Sequence, residues 1–195
     1  MTTYALVDNQ DQLIRTQDFD GAAPELATAK GLRWVPWQDA PMPTTTVFES
    51  ATADGVHIVG GALTTKWVVS ELSEQQKATK LAQLKAARNQ QINDDREAAN
   101  FGTFTHNGQP VSCDRLSRSD IDGMANQIGL LGDFPQGWPG YWKCADNTYL
   151  EMTTIAQFKA MYASMIGQGL YNFGVSQTRK AALAAATTPE EVAAV

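Results

Sequence analysis

The sequence SEQQKATKLAQLKAARNQQINDDREAAN, residues 73–100, decides the fold because it predicts one long helix. Ser73 and Gln76 have the spacing of a capping box, and neither Gly nor Pro interrupts the run before Gly102. At 1.5 Å per residue, this helix is on the order of 40 Å long. The chain before it is rich in predicted strands and the chain after it is mixed, so the sequence predicts an α+β protein.

The predicted helix carries only a narrow apolar stripe. Its large apolar residues are Leu72, Leu81, Leu84 and Ile92. A single helix of this kind gains little from burial, so other helices must cover the stripe, either from its own chain or from symmetry copies. We expect Leu81, Leu84 and Ile92 to contact a partner in an assembly. The spacing is not a sustained heptad, which favours a short helical bundle over a strict coiled coil.

Residues 1–69 predict a small antiparallel β domain, because short apolar runs alternate with polar turns. The predicted elements are a hairpin over 4–15, an aromatic strand over 32–37 that Pro36 restricts to a sheet edge or end, and a meander over 47–69 that turns at Asp54-Gly55 and at Gly60-Gly61. A short helix is predicted over 24–30, with Gly31 as its C-terminal residue.

Residues 101–195 predict a mostly helical domain with two β-hairpins. The turn of the first hairpin is Asn107-Gly108, and that of the second is Asp146-Asn147. The predicted helices start at Ser117, with a core face of Ile121, Met124, Ala125, Ile128 and Leu131; at Thr153 or Thr154, with Ile155, Phe158, Tyr162, Met165, Leu170 and Phe173 at helical spacing; and at Thr188.

Glycines interrupt the second of these helices. Gly167 and Gly169 weaken it by about 1 kcal/mol each relative to Ala, so we expect another backbone to approach closely there. Gly174 is expected to kink the helix. The predicted organisation is therefore a β domain over 1–69, a connecting helix over 70–100 and a helical domain over 101–195.

Composition limits the classes of function. The chain has 195 residues, 43% of them hydrophobic, which is enough for a folded core. Its net charge of −6 argues against nucleic acid or an anionic membrane surface as a partner. The first residues lack the pattern of a signal peptide and no apolar run approaches the length of a membrane span, so we expect no membrane insertion.

The residues that usually carry chemistry are scattered. His57, His106, Cys113 and Cys144 lack the spacing of a zinc site, so we expect the cysteines to be reduced and buried. Asp120 and Asp122 are two residues apart on a helix and face different ways, and a capping role for Asp120 is the simpler interpretation. The sequence holds no nucleophile elbow and no phosphate-binding loop. We expect no enzyme, no metal and no cofactor.

The sharpest local feature is the aromatic stretch FPQGWPGYW, residues 134–142. On loops rich in Gly and Pro, Trp and Tyr can present flat faces to a sugar or a protein. The alternative is that Trp138 and Trp142 plug the core of a small domain, which needs its aromatic residues inside. Both interpretations stay open, and the candidate partner-binding residues of this stretch are Phe134, Trp138, Tyr141 and Trp142.

Residues 96–195 also carry an ordered set of features. These are Arg96-Glu97-Ala98, Phe101 to Phe104, Asn107-Gly108, Val111 to Asp114, the helix from Ile121 to Ile128, Trp142 with Asp146-Asn147, Met152-Thr153-Thr154, and the Ala-rich end with Thr188-Pro189-Glu190-Glu191. In order and character this region resembles a family of uncharacterised domains of tailed-bacteriophage tail proteins, often encoded near tail-fibre genes. The matching positions are structural, so the resemblance brings no active-site residue.

The resemblance implies a structural protein of the phage tail. It would be a component or connector of the tail fibre or tail tip with a role in host attachment, located in the virion and assembled in the host cytoplasm. Its expected partners are other tail or tail-fibre proteins, further copies of itself, and a glycan of the host surface. The resemblance leaves one alternative open, a tail-fibre assembly chaperone that is not retained in the virion.

Overall fold

The computed structural model describes residues 1–24 and 31–195, so the helix predicted over 24–30 lies, apart from Pro24, outside the described residues. The predicted α+β class is confirmed, with 43% of the chain helical and 28% in strands. Two compact units are present, Met1–Lys80 (unit 1) and Leu81–Val195 (unit 2). The boundary falls inside the long helix, so that helix contributes to both units and does not form a body of its own.

Unit 1 begins with a three-stranded antiparallel sheet. Its strands are β1 (Thr2–Val7), β2 (Leu13–Phe19) and β3 (Arg33–Pro36), in the order β2-β1-β3. The Asp8 carboxylate accepts from the backbone amides of Gln10 and Gln12, each at 2.9 Å, and these bonds fix the first turn. The predicted hairpin is confirmed, and so is the aromatic strand, which ends at Pro36 on the sheet edge.

The rest of the unit 1 sheet structure is one long hairpin. Strands β4 (Glu49–Val59) and β5 (Ala62–Glu71) are joined at Gly60-Gly61, as predicted. The turn predicted at Asp54-Gly55 is wrong, because β4 passes through it as an irregularity where the register shifts between Ala53 and Val56. Gly55 has φ +78° there, so a bulge satisfies the same backbone requirement that suggested a turn. The predicted three-stranded meander is therefore two strands.

Helix α1 (Glu74–Asn100) follows β5. The Gln76 amide donates to Ser73 Oγ at 3.3 Å, and the Ser73 amide donates to Gln76 Oε1 at 2.9 Å. These two bonds satisfy donors that the first turn of a helix leaves free, so the predicted capping box is confirmed.

Unit 2 contains both predicted hairpins. The first joins β6 (Thr103–His106) to β7 (Gln109–Ser112), and the second joins β8 (Tyr141–Lys143) to β9 (Tyr149–Glu151). Asn107 and Gly108 have φ values of 51° and 78°, the conformation that makes Asn-Gly a strong hairpin signal.

Helix α2 (Arg115–Leu131) starts two residues before the predicted Ser117. Its N-cap is Asp114, whose carboxylate accepts from the amides of Leu116 and Ser117 at 3.0 Å each. Hydrogen bonds from the Ser117 hydroxyl and amide hold the pKa of Asp114 below its usual value. The predicted capping role of Asp120 is wrong, because Asp120 lies inside α2 and is exposed.

Helices α3 (Ile155–Ala185) and α4 (Pro189–Ala194) complete the unit. Capping boxes formed by Thr154 with Gln157 and by Thr188 with Glu191 start them, as the sequence predicts. Helix α3 is 31 residues long and passes through Gly174 without a break, and the kink predicted at Gly174 stays a prediction.

Unit 2 has two buried clusters. The larger joins the hairpins to α2 and α3 around Phe104, Ile121 and Phe158. The smaller joins α1 to the end of α3 and to α4, and consists of Ile92, Leu183, Ala186 and Val192, with Leu81, Leu84 and Val195 packed against it. Helices of unit 2 therefore cover Leu81, Leu84 and Ile92 of the narrow stripe, while Leu72 precedes α1 and lies in unit 1.

Truncating Ile92 should destabilise unit 2. Ile92 is 1% exposed, so Ile92→Ala leaves a cavity and should lower the free energy of unfolding by about 2 to 4 kcal/mol. Chemical denaturation measures this loss. The control is Leu130→Ala, which removes a side chain that is 84% exposed and should change stability by less than about 0.5 kcal/mol. Equal effects of the two changes would contradict the assignment of α1 to this core.

Candidate partner-binding site

Most of the aromatic stretch covers the larger core of unit 2. The Phe134 and Trp138 rings stack with centroids 5.2 Å apart and planes 9° apart, and Trp142 lies 6.0 Å from Trp138. Phe134 and Trp142 both pack against the buried ring of Phe158, with ring centroids 6.4 Å and 6.2 Å from its centroid. Such rings add pairwise attraction to the burial of their area, so this group holds the loop onto the core.

A hydrogen bond fixes Trp138 in that position. Its indole Nε1 donates to the Met152 carbonyl at 2.8 Å, which ties the loop to the end of the second hairpin. Gly137 and Gly140 have φ values of 84° and 85°, and these turns bring the indole back over the core. Trp138 and Trp142 are half-buried, so the core interpretation accounts for their positions and leaves each only a partial surface.

Tyr141 and Tyr149 remain on the surface of the second hairpin. They are 47% and 57% exposed, and their rings meet edge to face with centroids 4.9 Å apart. Alternation along β8 and β9 explains the arrangement, because Trp142 and Leu150 point into the core and the two tyrosines point away. Tyr149 lies beyond the stretch 134–142, and the same alternation in the sequence places it on the side of the hairpin that Tyr141 occupies.

The stripe of α1 offers less surface than expected. Ile92 is buried against α3 and α4, and Leu81 and Leu84 pack on the same cluster. The stripe was expected to pack against helices of its own chain or of symmetry copies. In the structure, helices of its own chain cover these three residues. Ile92 has no surface with which to contact a partner in this fold.

The histidine and cysteine side chains of unit 2 have structural surroundings. Cys113 and Cys144 are buried free thiols, and the Cys144 thiol donates to Gln109 Oε1 at 3.2 Å. The Ser164 hydroxyl donates to the Ala160 carbonyl, which leaves its oxygen to accept from Nδ1 of His106 at 2.9 Å. In the described part of the chain, no three His, Cys, Asp or Glu side chains are grouped to hold a metal ion.

One polar depression adjoins the second hairpin. It measures about 370 Å³ and is lined by Ser112, Ser117, Asp120, Trp142, Lys143, Cys144, Ala145 and Asn147. Hydroxyls, one carboxylate and one ammonium group can hydrogen-bond a small polar group at its surface. A cofactor site usually adds an enclosing apolar wall, which this lining does not provide.

The fold and these surfaces define an α+β protein whose second unit presents aromatic side chains on a β-hairpin. Residues 75–195 match the model of a family described as a domain of unknown function, DUF4376, and the chain belongs to this family. No curated protein and no solved structure matches the chain. Among the described helices, none combines the length and the apolar character needed to cross a membrane.

Trp138→Ala should act mainly on stability. The change removes a ring stacked on Phe134 and the hydrogen bond to Met152, so we expect a loss of about 3 to 5 kcal/mol and a melting temperature lower by many degrees. Tyr149→Ala is the matched control, since its ring is largely exposed and its loss should leave the melting temperature nearly unchanged. If the Trp138→Ala variant were as stable as the wild type, Trp138 would not be a core residue, and the interpretation as a partner-binding residue would be favoured.

Mild acid should destabilise unit 2 through His106. Burial lowers the pKa of His106, so below its ordinary value of about 6.5 the unfolded chain binds a proton that the folded unit does not. Stability is therefore full above about pH 6.5 and falls as the pH drops toward the lowered folded-state pKa. Denaturation at several pH values should show this loss in the wild type and a smaller one in His106→Gln. Identical pH dependence of stability in the wild type and in His106→Gln would contradict the assignment of this loss to His106.

Proposed function

We propose that this chain is a structural protein of the bacteriophage tail, a component or connector of the tail fibre or tail tip that takes part in host attachment. The observation that carries the proposal is the ordered resemblance of residues 96–195 to domains of tail proteins. The proposed role is non-catalytic, and the proposed partners are other tail proteins and a glycan of the host surface. The proposed location of the protein is the tail of the virion.

The tyrosine pair on the second hairpin supports a binding role. Tyr141 and Tyr149 offer large, amphipathic contact area at low cost in side-chain entropy. Their strands are anchored from behind by Trp142 and Leu150, so the surface is held in place before any partner arrives. A hairpin that displays two aromatic rings from a packed core suits either a protein edge or the flat face of a sugar.

The covalent path between the units supports a connector role. Helix α1 carries residues of both units, so a partner held by one unit is tethered to whatever the other unit binds. A net charge of −6 favours protein or neutral sugar surfaces over nucleic acid. In this role the helix supplies linkage, and the exposed side chains of each unit supply recognition.

The test is made in two parts. Mass spectrometry of purified phage particles should find the chain at a copy number that agrees with the symmetry of the tail. Its absence from particles, with abundance in infected cells, would favour the assembly chaperone instead. The double variant Tyr141→Ala with Tyr149→Ala should then weaken capture of particles or cells by roughly 30-fold, equivalent to about 2 kcal/mol, at unchanged melting temperature. Full capture by this variant would exclude the tyrosine pair as the contact.

A further inference from the structure

The outward side of α3 lacks charge over most of its length. No Asp, Glu, Lys or Arg occurs between Lys159 and Arg179, a stretch that covers more than half of the helix. One side of this stretch is in the core, where Met161 and Met165 are buried. The opposite side faces solvent in the described structure. A solvent-facing helix side normally carries charged residues, and a surface without them is typical of the centre of a protein interface.

Large apolar side chains fill this outward side. Leu170 and Tyr171 at its middle are 67% and 68% exposed, and Ile166, Phe173 and Val175 are exposed around them. At 100° per residue, Ile166, Leu170 and Phe173 form one row, and Tyr171 lies in the next row. From these exposed fractions the five side chains present on the order of 500 Å², as much as the largest apolar patch of a typical monomer.

Gly167 and Gly174 on α3 have no explanation within the described residues. A Cβ added at Gly167 or Gly174 would meet no atom of the described residues within 4 Å, and both lie between the two apolar rows. The sequence predicts that another backbone approaches Gly167 and Gly169, and the described part of the chain supplies none at Gly167, Gly169 or Gly174. The described residues therefore give no reason for two helix-weakening residues on an exposed surface, and contact with a second molecule would supply one.

The spacing of these residues matches itself under a two-fold rotation. Gly167 and Gly174 are equally far from the point midway between Leu170 and Tyr171. When two copies of α3 pack antiparallel about that point, Gly167 of each copy faces Gly174 of the other, and the backbones approach closely at two places. Leu170 then meets Leu170 of the second copy, and Ile166 lies beside the second copy's Phe173. A surface that contacts its own copy in this way is the requirement for a symmetric dimer.

We propose that two copies of this chain form a dimer through α3, antiparallel and centred between Leu170 and Tyr171. Two such faces bury about 1,000 Å² in total, which reaches the lower limit for a specific interface and indicates moderate affinity. Helix α3 contributes no charged residue to this face, and the Arg96 guanidinium of α1 lies at its border, 4.9 Å from the centroid of the Phe173 ring. Leu170 and Tyr171 at the two-fold axis are uncharged, so they meet their copies without repulsion. The basic residues Lys159, Arg179 and Lys180 flank it, and the acidic excess of the chain lies elsewhere. This proposal does not depend on the tail assignment.

The test starts with the mass of the full chain in solution. Sedimentation velocity over a range of concentrations should show a dimer of the 21.2 kDa chain that dissociates on dilution. Leu170→Glu places two carboxylates at the axis and should raise the dissociation constant by roughly 30-fold or more. Leu130→Glu is the matched control, since it charges an even more exposed leucine on α2 and should leave the dimer intact. A wild type that stays monomeric at high concentration, or a Leu170→Glu dimer as tight as the wild type, overturns the proposal.

The glycines provide a test that separates the interface from folding. Alanine favours a helix and has open space at both positions, so Gly167→Ala and Gly174→Ala should keep or increase helix content while weakening the dimer. Cross-linking by a short bismaleimide tests the direction of packing, because the native cysteines are buried. A mixture of Ile166→Cys and Phe173→Cys chains should cross-link to each other in preference to themselves. Alanine variants that dimerise as tightly as the wild type, or preferential self-linking of each cysteine variant, refute the arrangement.

Discussion

One apolar contact joins the long helix to the rest of unit 2, the packing of α1 on the end of α3 and on α4. Helix α1 has few large apolar residues, and the structure concentrates them where Leu183 and Val192 enclose Ile92. An ion pair and a hydrogen bond extend the contact between α1 and α3 further along the two helices. Arg179 forms an ion pair with Asp95 at 2.8 Å, and Asn172 Nδ2 donates to Asn100 Oδ1 at 2.9 Å. Because Met161 and Met165 pack into the larger cluster and Leu183 into this one, the two clusters together determine which side of α3 is inside and which side is displayed.

Local chemistry made much of the fold predictable. The capping boxes at Ser73, Thr154 and Thr188 and the Asn-Gly turn were read correctly, because each depends on hydrogen bonds or φ angles within a few residues. Errors arose where one local signal serves two structures. Asp54-Gly55 supplies a positive φ to a bulge instead of a turn, and Asp114 caps α2 where Asp120 was expected.

Periodicity alone could not assign the sides of α3. Leu170 and Phe173 follow Phe158 and Met165 at helical spacing, yet the first two are exposed and the last two are buried. When a helix has apolar residues on both sides, its periodicity does not indicate which side faces the core. Only contacts with residues distant in sequence decide this. The same limit applies to the candidate site. Whether Trp138 was core or surface depended on the Met152 carbonyl and on the larger cluster of unit 2, which are formed by residues outside the aromatic stretch.

The contact between α1 and the end of α3 has a consequence for how the unit folds. Lys85 Nζ donates to the Ala184 carbonyl at 3.0 Å, and 99 residues separate the two along the chain. Closing so long a loop costs chain entropy before any contact repays it, so unit 2 should fold more slowly than a bundle of sequential helices. During synthesis α1 emerges long before α3 and α4, and its apolar stripe stays uncovered until they follow. In that interval the hairpins and α2 can form, while the nascent α1 is the segment exposed to premature association.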